Sequence, residues 1–319
     1  MRSTFSRPRL SFRPALSTAV TLAMGLMLAT SADARPQKHL LTSTEKLAGM
    51  LADDGLVILH VGADRESFDG GHVPGARFLE WSSIAVERDG VANEFPTRQE
   101  LRTTFSELGV GDGSTVVLYD AAKGLLSARA FVALELIGFR GDVSVLDGQL
   151  AAWAVENRQI QVGAPQPVEA ASLTLGSDSA VVVKANDVKR ALAGSAPQLV
   201  DSRSAAEWSG AKAGRDVSPM RAGHLPGARN VPWTEHLADG DAPRLKPLDE
   251  LQALYADVNV EGPVVAYCRT GVKASHTYFV LRYLGYRPHL YDGSFIEWHA
   301  DPKAPVEKSS SQEGAPRAR

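Results

Sequence analysis

The chain has 319 residues, of which 44% are hydrophobic and 22% are charged, and its formal net charge is −3. This composition is typical of a globular protein, and the length favours two domains of about 100–200 residues each. The weakly acidic balance excludes the broad basic surface that proteins use to bind nucleic acid or anionic membranes.

The first 34 residues have the pattern of a secretory signal peptide. Four arginines precede a short apolar run from about Ala15 to Ala29, and Ala32-Asp33-Ala34 ends the segment. A basic region, an apolar region and an A-x-A site predict cleavage after Ala34, whereas a membrane anchor would need an apolar run of ~20 residues. We therefore expect a periplasmic or secreted protein without stable membrane association. Residues 1–34 hold four Arg and one Asp, so the mature chain has a charge of −6.

The remainder of the chain contains the same unit twice, with the copies roughly 150 residues apart. The matching segments are GHVPGAR (71–77) and GHLPGAR (223–229), VVLY (116–119) and VVAY (264–267), LIGF (136–139) and YLGY (283–286), and an Asp-Gly pair at 147 and at 292, each followed by a tryptophan. This duplication predicts two related domains, over 40–160 and 179–302, joined by a Pro- and Gly-containing linker over 161–178.

Both copies alternate short apolar runs with helical patterns. Predicted strands and helices are strand 56–61, a helix opened by the capping box Thr97–Glu100, strand 115–119, helix 127–136, helix 188–192, strand 198–200, helix 249–255, strand 264–267 and a helix from about Ser275. This order predicts an α/β fold in which each domain has a parallel sheet with helices on both faces. Residues 303–319 are rich in Pro, Ser and charge, which predicts a disordered tail.

Cys268 is the only cysteine, so the chain has no intrachain disulfide. A lone thiol in an exported protein is either a buried apolar side chain or a reactive group. Cys268 directly follows the buried strand VVAY, at the sheet edge where parallel α/β proteins bind ligands. Backbone N–H groups and the start of the next helix would stabilise a thiolate there.

The residues after the cysteine form a candidate anion site. Arg269 and Lys273 supply positive charge, and Gly271 permits tight backbone curvature. Thr270 and Val272 complete the loop, whose N–H groups we expect to bind substrate. Arg269 and Lys273 would be ordinary surface charges if the cysteine were structural.

These features resemble the tandem rhodanese family, which includes thiosulfate and 3-mercaptopyruvate sulfurtransferases. The resemblance covers nearly all of residues 40–302 and rests on Cys-Arg-Thr-Gly-Val-Lys after VVAY, the two GH-[VL]-PGA turns and the two DG…W elements. In that family the reactive cysteine lies in the second domain. Alignment of VVLY with VVAY places Asp120 opposite Cys268, which implies that the first domain cannot form a persulfide.

The resemblance implies a two-step reaction that needs no metal and no organic cofactor. The Cys268 thiolate takes sulfane sulfur from a small anionic donor and passes it to a thiophilic acceptor such as cyanide, a thiol or a partner protein. Arg269 resembles thiosulfate enzymes, so we expect a thiosulfate sulfurtransferase. The hydroxyl of Thr270 and the shifted position of Lys273 leave 3-mercaptopyruvate as the alternative donor.

Other polar residues receive more limited interpretations. In mercaptopyruvate enzymes of this family an arginine before the second GH-PG turn contacts substrate, and the resemblance makes Arg221 the better candidate and Arg215 the weaker; the alternative for each is a solvated loop charge. His72 and His224 occupy the same turn in both copies, which favours a structural hydrogen bond, with proton transfer by His72 as the weaker alternative. Asp201 and Arg203 are expected to pair.

Two other functions compete with sulfur transfer catalysis. A loop phosphatase needs Cys-x5-Arg, but residue 274 is Ala, which argues against it. A persulfide relay protein with little turnover would use Cys268 in the same way, so this alternative stays open.

Overall fold

A computed structural model describes residues 35–177, 180–194, 198–212 and 221–309. The predicted signal peptide over 1–34, Arg215 and the last ten residues of the predicted tail lie outside the described residues. No helix within these ranges is long and apolar enough to cross a membrane.

The first domain is built on a five-stranded parallel sheet with the strand order β1-β7-β6-β2-β3. Its elements are β1 Leu41–Thr42, α1 Thr44–Met50, β2 Leu56–Gly62, α2 Arg65–Gly70, β3 Arg77–Glu80, β4 Val86–Arg88, β5 Val91–Glu94, α3 Arg98–Glu107, β6 Thr115–Asp120, α4 Leu125–Leu136, β7 Asp142–Leu146 and α5 Gln149–Val155. Strands β4 and β5 form a separate antiparallel hairpin. The capping box of Thr97 and Glu100 opens α3 as predicted.

The second domain repeats this arrangement, with the strand order β8-β12-β11-β9-β10 in a parallel sheet. Its elements are β8 Val182–Val183, α6 Ala185–Ala193, β9 Gln198–Asp201, α7 Ala205–Ser209, β10 Arg229–Asn230, α8 Leu248–Leu254, β11 Val264–Tyr267, α9 Val272–Tyr283, β12 Pro288–Tyr291 and α10 Ser294–Ala300. The sequence duplication is therefore a duplication of fold, and the predicted α/β class is confirmed.

The helices α4 and α9 pack against each other and join the two domains. The rings of Phe131 and Phe279 meet edge to face with 5.1 Å between their centroids. On the same two helices, Arg282 donates to both carboxylate oxygens of Glu135, and the Tyr278 hydroxyl donates to the same carboxylate. Each helix follows the central strand of its own sheet, so the loops before both helices lie at the domain boundary.

Residues 303–309 differ from the predicted disordered tail because they are packed against the second domain. The Trp298 indole donates to Pro305 O at 2.8 Å, and Ala304 is buried. Glu307 binds the GHLPGA turn through its backbone at His224 and through its carboxylate at Gly227 N. Gln161 makes the equivalent contacts with the first turn, at His72 and Gly75. The repeated unit thus extends past α5 and α10, which a Pro- and Ser-rich composition does not reveal.

Candidate active site

Cys268 lies directly after β11 and is 1% exposed, with a free thiol. Its backbone N–H donates to Ser294 Oγ at 3.2 Å, and the Gly271 N–H donates to the same oxygen at 3.1 Å. The Cys268 carbonyl accepts from Phe295 N at 3.1 Å. Both ends of the loop are therefore attached to the start of α10, and this fixes the position of the sulfur-bearing residue.

The loop turns into α9 at Gly271, whose φ of +82° favours glycine. A Cβ at this position would lie 2.6 Å from Asp292 Oδ1, so a larger residue would also clash. Helix α9 begins at Val272, three residues before the predicted start, and therefore includes Val272 and Lys273 in its first turn. The N–H groups of a first helical turn have no partner within the helix and carry partial positive charge.

The two basic residues of the loop lie in different surroundings. Lys273 lies near Glu207. Burial acts to raise the pKa of Glu207, but the hydrogen bond from Ser204 and the positive charge of Lys273 outweigh burial, so that the pKa of Glu207 is lowered. Arg269 is half-exposed. Burial first, and then the charges of Arg221 and Arg269, lower the pKa of His299. The guanidinium groups of Arg221 and Arg269 therefore both act on one imidazole beside the loop.

Arg221, predicted to contact substrate, is bound to the end of α10. Its guanidinium donates to four backbone carbonyls, those of Trp298, His299, Asp301 and Ala304. Helix ends leave such carbonyls without intrahelical partners, so Arg221 stabilises the end of α10. A substrate contact by Arg221 would require it to exchange some of these hydrogen bonds.

The first domain supplies a second set of residues that sequence analysis did not identify. Arg129 of α4 is fully buried and binds both carboxylate oxygens of Asp292, just after β12. Its guanidinium also donates to Asn93 O and lies 3.4 Å from the centroid of the Phe95 ring. The Asn93 side-chain amide donates to Thr270 Oγ1 at 3.2 Å. These contacts join residues up to 177 positions apart, so no local pattern indicates them.

Asp120 occupies in the first domain the position that Cys268 has in the second. Its buried carboxylate accepts hydrogen bonds from four backbone N–H groups at 2.6–2.9 Å, those of Ala122, Gly124, Leu126 and Ser127. Burial raises the pKa of Asp120, and these hydrogen bonds oppose the shift. The same strand–loop–helix unit therefore directs four N–H donors at the side chain that occupies this position.

The rest of the first-domain loop also corresponds to the second. Gln149, with φ +57°, accepts from Asp120 N, as Ser294, with φ +52°, accepts from Cys268 N. Asp147 accepts from Leu245 N at 3.0 Å, whereas Asp292 accepts from Phe95 N at 2.9 Å. Each domain thus contributes a segment to the loop of the other, and only one of the two loops carries a thiol.

The structural interpretations of the remaining polar residues are confirmed. His72 Nδ1 and His224 Nδ1 lie 2.8 Å from the carbonyls of Phe68 and Trp208, and each imidazole stacks on that residue's ring. Asp201 and Arg203 form a buried ion pair at 2.6 Å.

Comparison with known proteins agrees with this arrangement. The family model of the rhodanese-like domain matches residues 43–156 and 184–301. A putative thiosulfate sulfurtransferase of Saccharopolyspora erythraea is 32% identical over 86% of this chain and 99% of its own length. A sulfur carrier protein of Thermus thermophilus is 32% identical over 82% and 93%. The crystal structure of a 3-mercaptopyruvate sulfotransferase from Escherichia coli superposes with a TM-score of 0.70 at 27% identity, covering 80% of this chain and 98% of that one.

Proposed function

The chain belongs to the rhodanese-like family of sulfurtransferases, and from this premise we propose that it moves sulfane sulfur from thiosulfate to cyanide or a thiol acceptor through a persulfide on Cys268. The Cys268 thiolate attacks the outer sulfur of thiosulfate, the S–S bond breaks, and sulfite leaves with the bonding electron pair. The acceptor then attacks the outer sulfur of the persulfide. The Cys268 thiolate leaves with the electron pair of the bond that breaks, which regenerates the enzyme.

The observation that carries this proposal is the pair of equivalent loops. The first-domain loop directs four backbone N–H groups at the side-chain oxygens of Asp120, so a loop of this type presents converging hydrogen-bond donors to the residue at this position. The second-domain loop has a thiol at that position, and its length differs by one residue. A persulfide anion on Cys268 would be stabilised in the same way, by the loop and by the start of α9.

Thiosulfate is the donor that the charges favour. Arg269 lies on the loop that would bind a doubly negative ion, Lys273 lies in the first turn of α9 directly after it, and both are partly exposed. Two observations support 3-mercaptopyruvate as a second candidate donor: the hydroxyl of Thr270 in the loop, and the similarity in fold to the 3-mercaptopyruvate sulfotransferase of Escherichia coli. The Thermus thermophilus relative supports a sulfur-carrier role, in which the acceptor is a protein.

We also propose that this reaction takes place in the periplasm or outside the cell. The support is the sequence of residues 1–34, with its basic start, short apolar run and Ala32-Asp33-Ala34. Amino-terminal sequencing of the exported protein tests this proposal, and an unprocessed chain retained in the cytoplasm would contradict it.

The central experiment measures thiocyanate formed from thiosulfate and cyanide by the purified protein. We expect turnover by the wild type, a mass increase of one sulfur atom on Cys268 after incubation with thiosulfate alone, and loss of both in Cys268→Ser. Lys123→Gly, in the corresponding loop of the first domain, is the matched control and should keep full turnover. Thiocyanate production that survives Cys268→Ser would overturn the persulfide mechanism.

Donor choice is decided by kcat/KM for thiosulfate and for 3-mercaptopyruvate under identical conditions. A higher value for 3-mercaptopyruvate would overturn the thiosulfate assignment and leave sulfur transfer intact. A wild type that becomes loaded with sulfur but turns over only in the presence of a protein acceptor would identify the relay function.

A further inference from the structure

We propose that Asn93, in the domain without a reactive thiol, is a positioning residue that orients the Thr270 hydroxyl toward the sulfur donor. This inference rests on the proposed function and extends it by one residue. The Asn93 side-chain amide donates to Thr270 Oγ1 at 3.2 Å, across the domain boundary. Thr270 lies two positions after Cys268 and is half-exposed, so its hydroxyl can meet a bound ligand.

The direction of this hydrogen bond determines what the hydroxyl can do. A threonine hydroxyl has one proton and two acceptor lone pairs, whereas a side-chain NH₂ group can only donate. With the Asn93 amide occupying a lone pair, the hydroxyl keeps its proton for another acceptor. Among the described residues, none accepts this proton. The sulfonate of thiosulfate or the charged sulfur of the persulfide is the acceptor that the proposed reaction brings to this loop.

Asn93 is held rigidly enough to serve this purpose. Its φ is +66°, and it lies in β5 of the β4–β5 hairpin, two residues before Phe95. Its carbonyl accepts from Arg129, which is itself fixed by Asp292 and by the ring of Phe95. The backbone of Asn93 therefore has its own anchor, separate from the side-chain contact with Thr270.

This separation makes Asn93→Gly a precise variant. Glycine accepts a φ of +66° without strain, and the backbone carbonyl that binds Arg129 is retained. Only the side-chain amide is lost. Without the amide, the Thr270 hydroxyl is no longer held toward the sulfur donor. Because the hydrogen bond from this hydroxyl to a charged donor is worth about 10-fold to 100-fold in an equilibrium or rate, we expect kcat/KM for the donor to fall about 10-fold.

The test combines Asn93→Gly with two substitutions of Thr270. Thr270→Val removes the hydroxyl and keeps the shape, and Thr270→Ser keeps the hydroxyl. We expect Asn93→Gly to lower kcat/KM by about 10-fold in the wild type and in Thr270→Ser, but to have no effect in Thr270→Val. A purely structural role of Asn93 would give the same loss in all three backgrounds. An equal loss in Thr270→Val, or no loss in the wild type, would overturn the proposal.

Two controls separate this result from other failures. Asn157→Gly changes a second asparagine of left-handed φ (+55°) in an exposed turn after α5, and it should leave kcat/KM unchanged. Urea unfolding of each variant shows whether the chain is still folded. Turnover that persists in Cys268→Ser contradicts the proposed function itself, whereas cysteine-dependent turnover without coupling between Asn93 and Thr270 contradicts only this inference.

Discussion

At the scale of single residues, Ser294 determines the shape of the reactive loop. It is fully buried, its hydroxyl accepts from the N–H groups of Cys268 and Gly271, and it donates to Tyr291 O at 2.8 Å. It also adopts a left-handed conformation with φ +52°, which costs a non-glycine residue roughly 1–2 kcal/mol. The hydrogen bonds of the side chain must therefore compensate for strain in the backbone.

We expect Ser294→Ala and Ser294→Gly to be destabilised to different extents. Both variants leave two buried N–H groups without an acceptor, which costs about 1–3 kcal/mol for each group. Glycine also relieves the backbone strain, so Ser294→Gly should be about 1 kcal/mol more stable than Ser294→Ala. Urea unfolding measures the free energies, and the thiocyanate assay should show reduced turnover in both. Gln149→Gly, the equivalent change in the first domain, should lower stability without lowering turnover. Equal stability of Ser294→Ala and Ser294→Gly would contradict the proposed backbone strain at this position.

Cys268 and residues 269–273 could be identified from sequence because they are contiguous and follow a recognisable strand. Ser294, Arg129 and Asn93 could not, since their partners lie 26, 163 and 177 positions away. Arg221 shows a different difficulty, because it was identified from sequence but its partners were not. A basic side chain near a loop can bind substrate or backbone carbonyls, and only the packing of α10 distinguishes these roles.

At the scale of elements, α4 connects the two domains through a buried ion pair between Arg129 and Asp292. Arg129 has no exposed side-chain area and Asp292 has 7%. The Glu135–Arg282 pair, on the same two packed helices, is more exposed, with 17% and 31%. Removal of one partner from a buried pair leaves an uncompensated charge, whereas the charge left by breaking a partly exposed pair is compensated in part by water.

Arg129→Met is therefore expected to destabilise the protein by about 3–5 kcal/mol, because it leaves Asp292 unpaired. The double variant Arg129→Met/Asp292→Asn should recover part of this loss, since asparagine is neutral and can still accept from Phe95 N. Arg282→Met provides the matched control and should cost less than Arg129→Met, because Glu135 keeps the Tyr278 hydroxyl as a donor and is partly reached by water. Urea unfolding measures all three variants, and a double variant as unstable as the single one would refute the assignment of the loss to an unpaired charge.

Apolar patterns predicted the existence and order of most elements but placed the starts of α4 and α9 two to three residues late. Gly124 and Gly271 have φ values of +87° and +82°, so the chain turns at each glycine and the helix begins at the next residue. The hydrophobic pattern does not reveal where such a helix begins, because Leu125, Val272 and Lys273 are equally compatible with the preceding loop.

At the scale of the whole molecule, the two domains share a fold but differ in the polar groups of their cores. His60 faces Tyr119 across neighbouring strands of the first sheet, as Asp201 faces Tyr267 in the second. Asp201 has Arg203 as a partner, whereas His60 is surrounded by the rings of Phe68, Phe78 and Tyr119. Burial, followed by the nearby His72, lowers the pKa of His60 to about 4. Burial alone lowers that of His276 to about 4.

These histidines make the folded state sensitive to acid. The unfolded chain takes up a proton on each imidazole below its usual pKa of about 6.5, whereas the folded chain does so only near pH 4. Stability is therefore lost as the pH falls from about 6.5 to 4, by about 3 kcal/mol for each histidine. His60→Leu should remove its share of this loss, and His39→Leu, at an exposed position, is measured beside it as the control. Urea unfolding at a series of pH values checks this, and parallel curves for wild type and His60→Leu would show that His60 is not kept neutral by the fold.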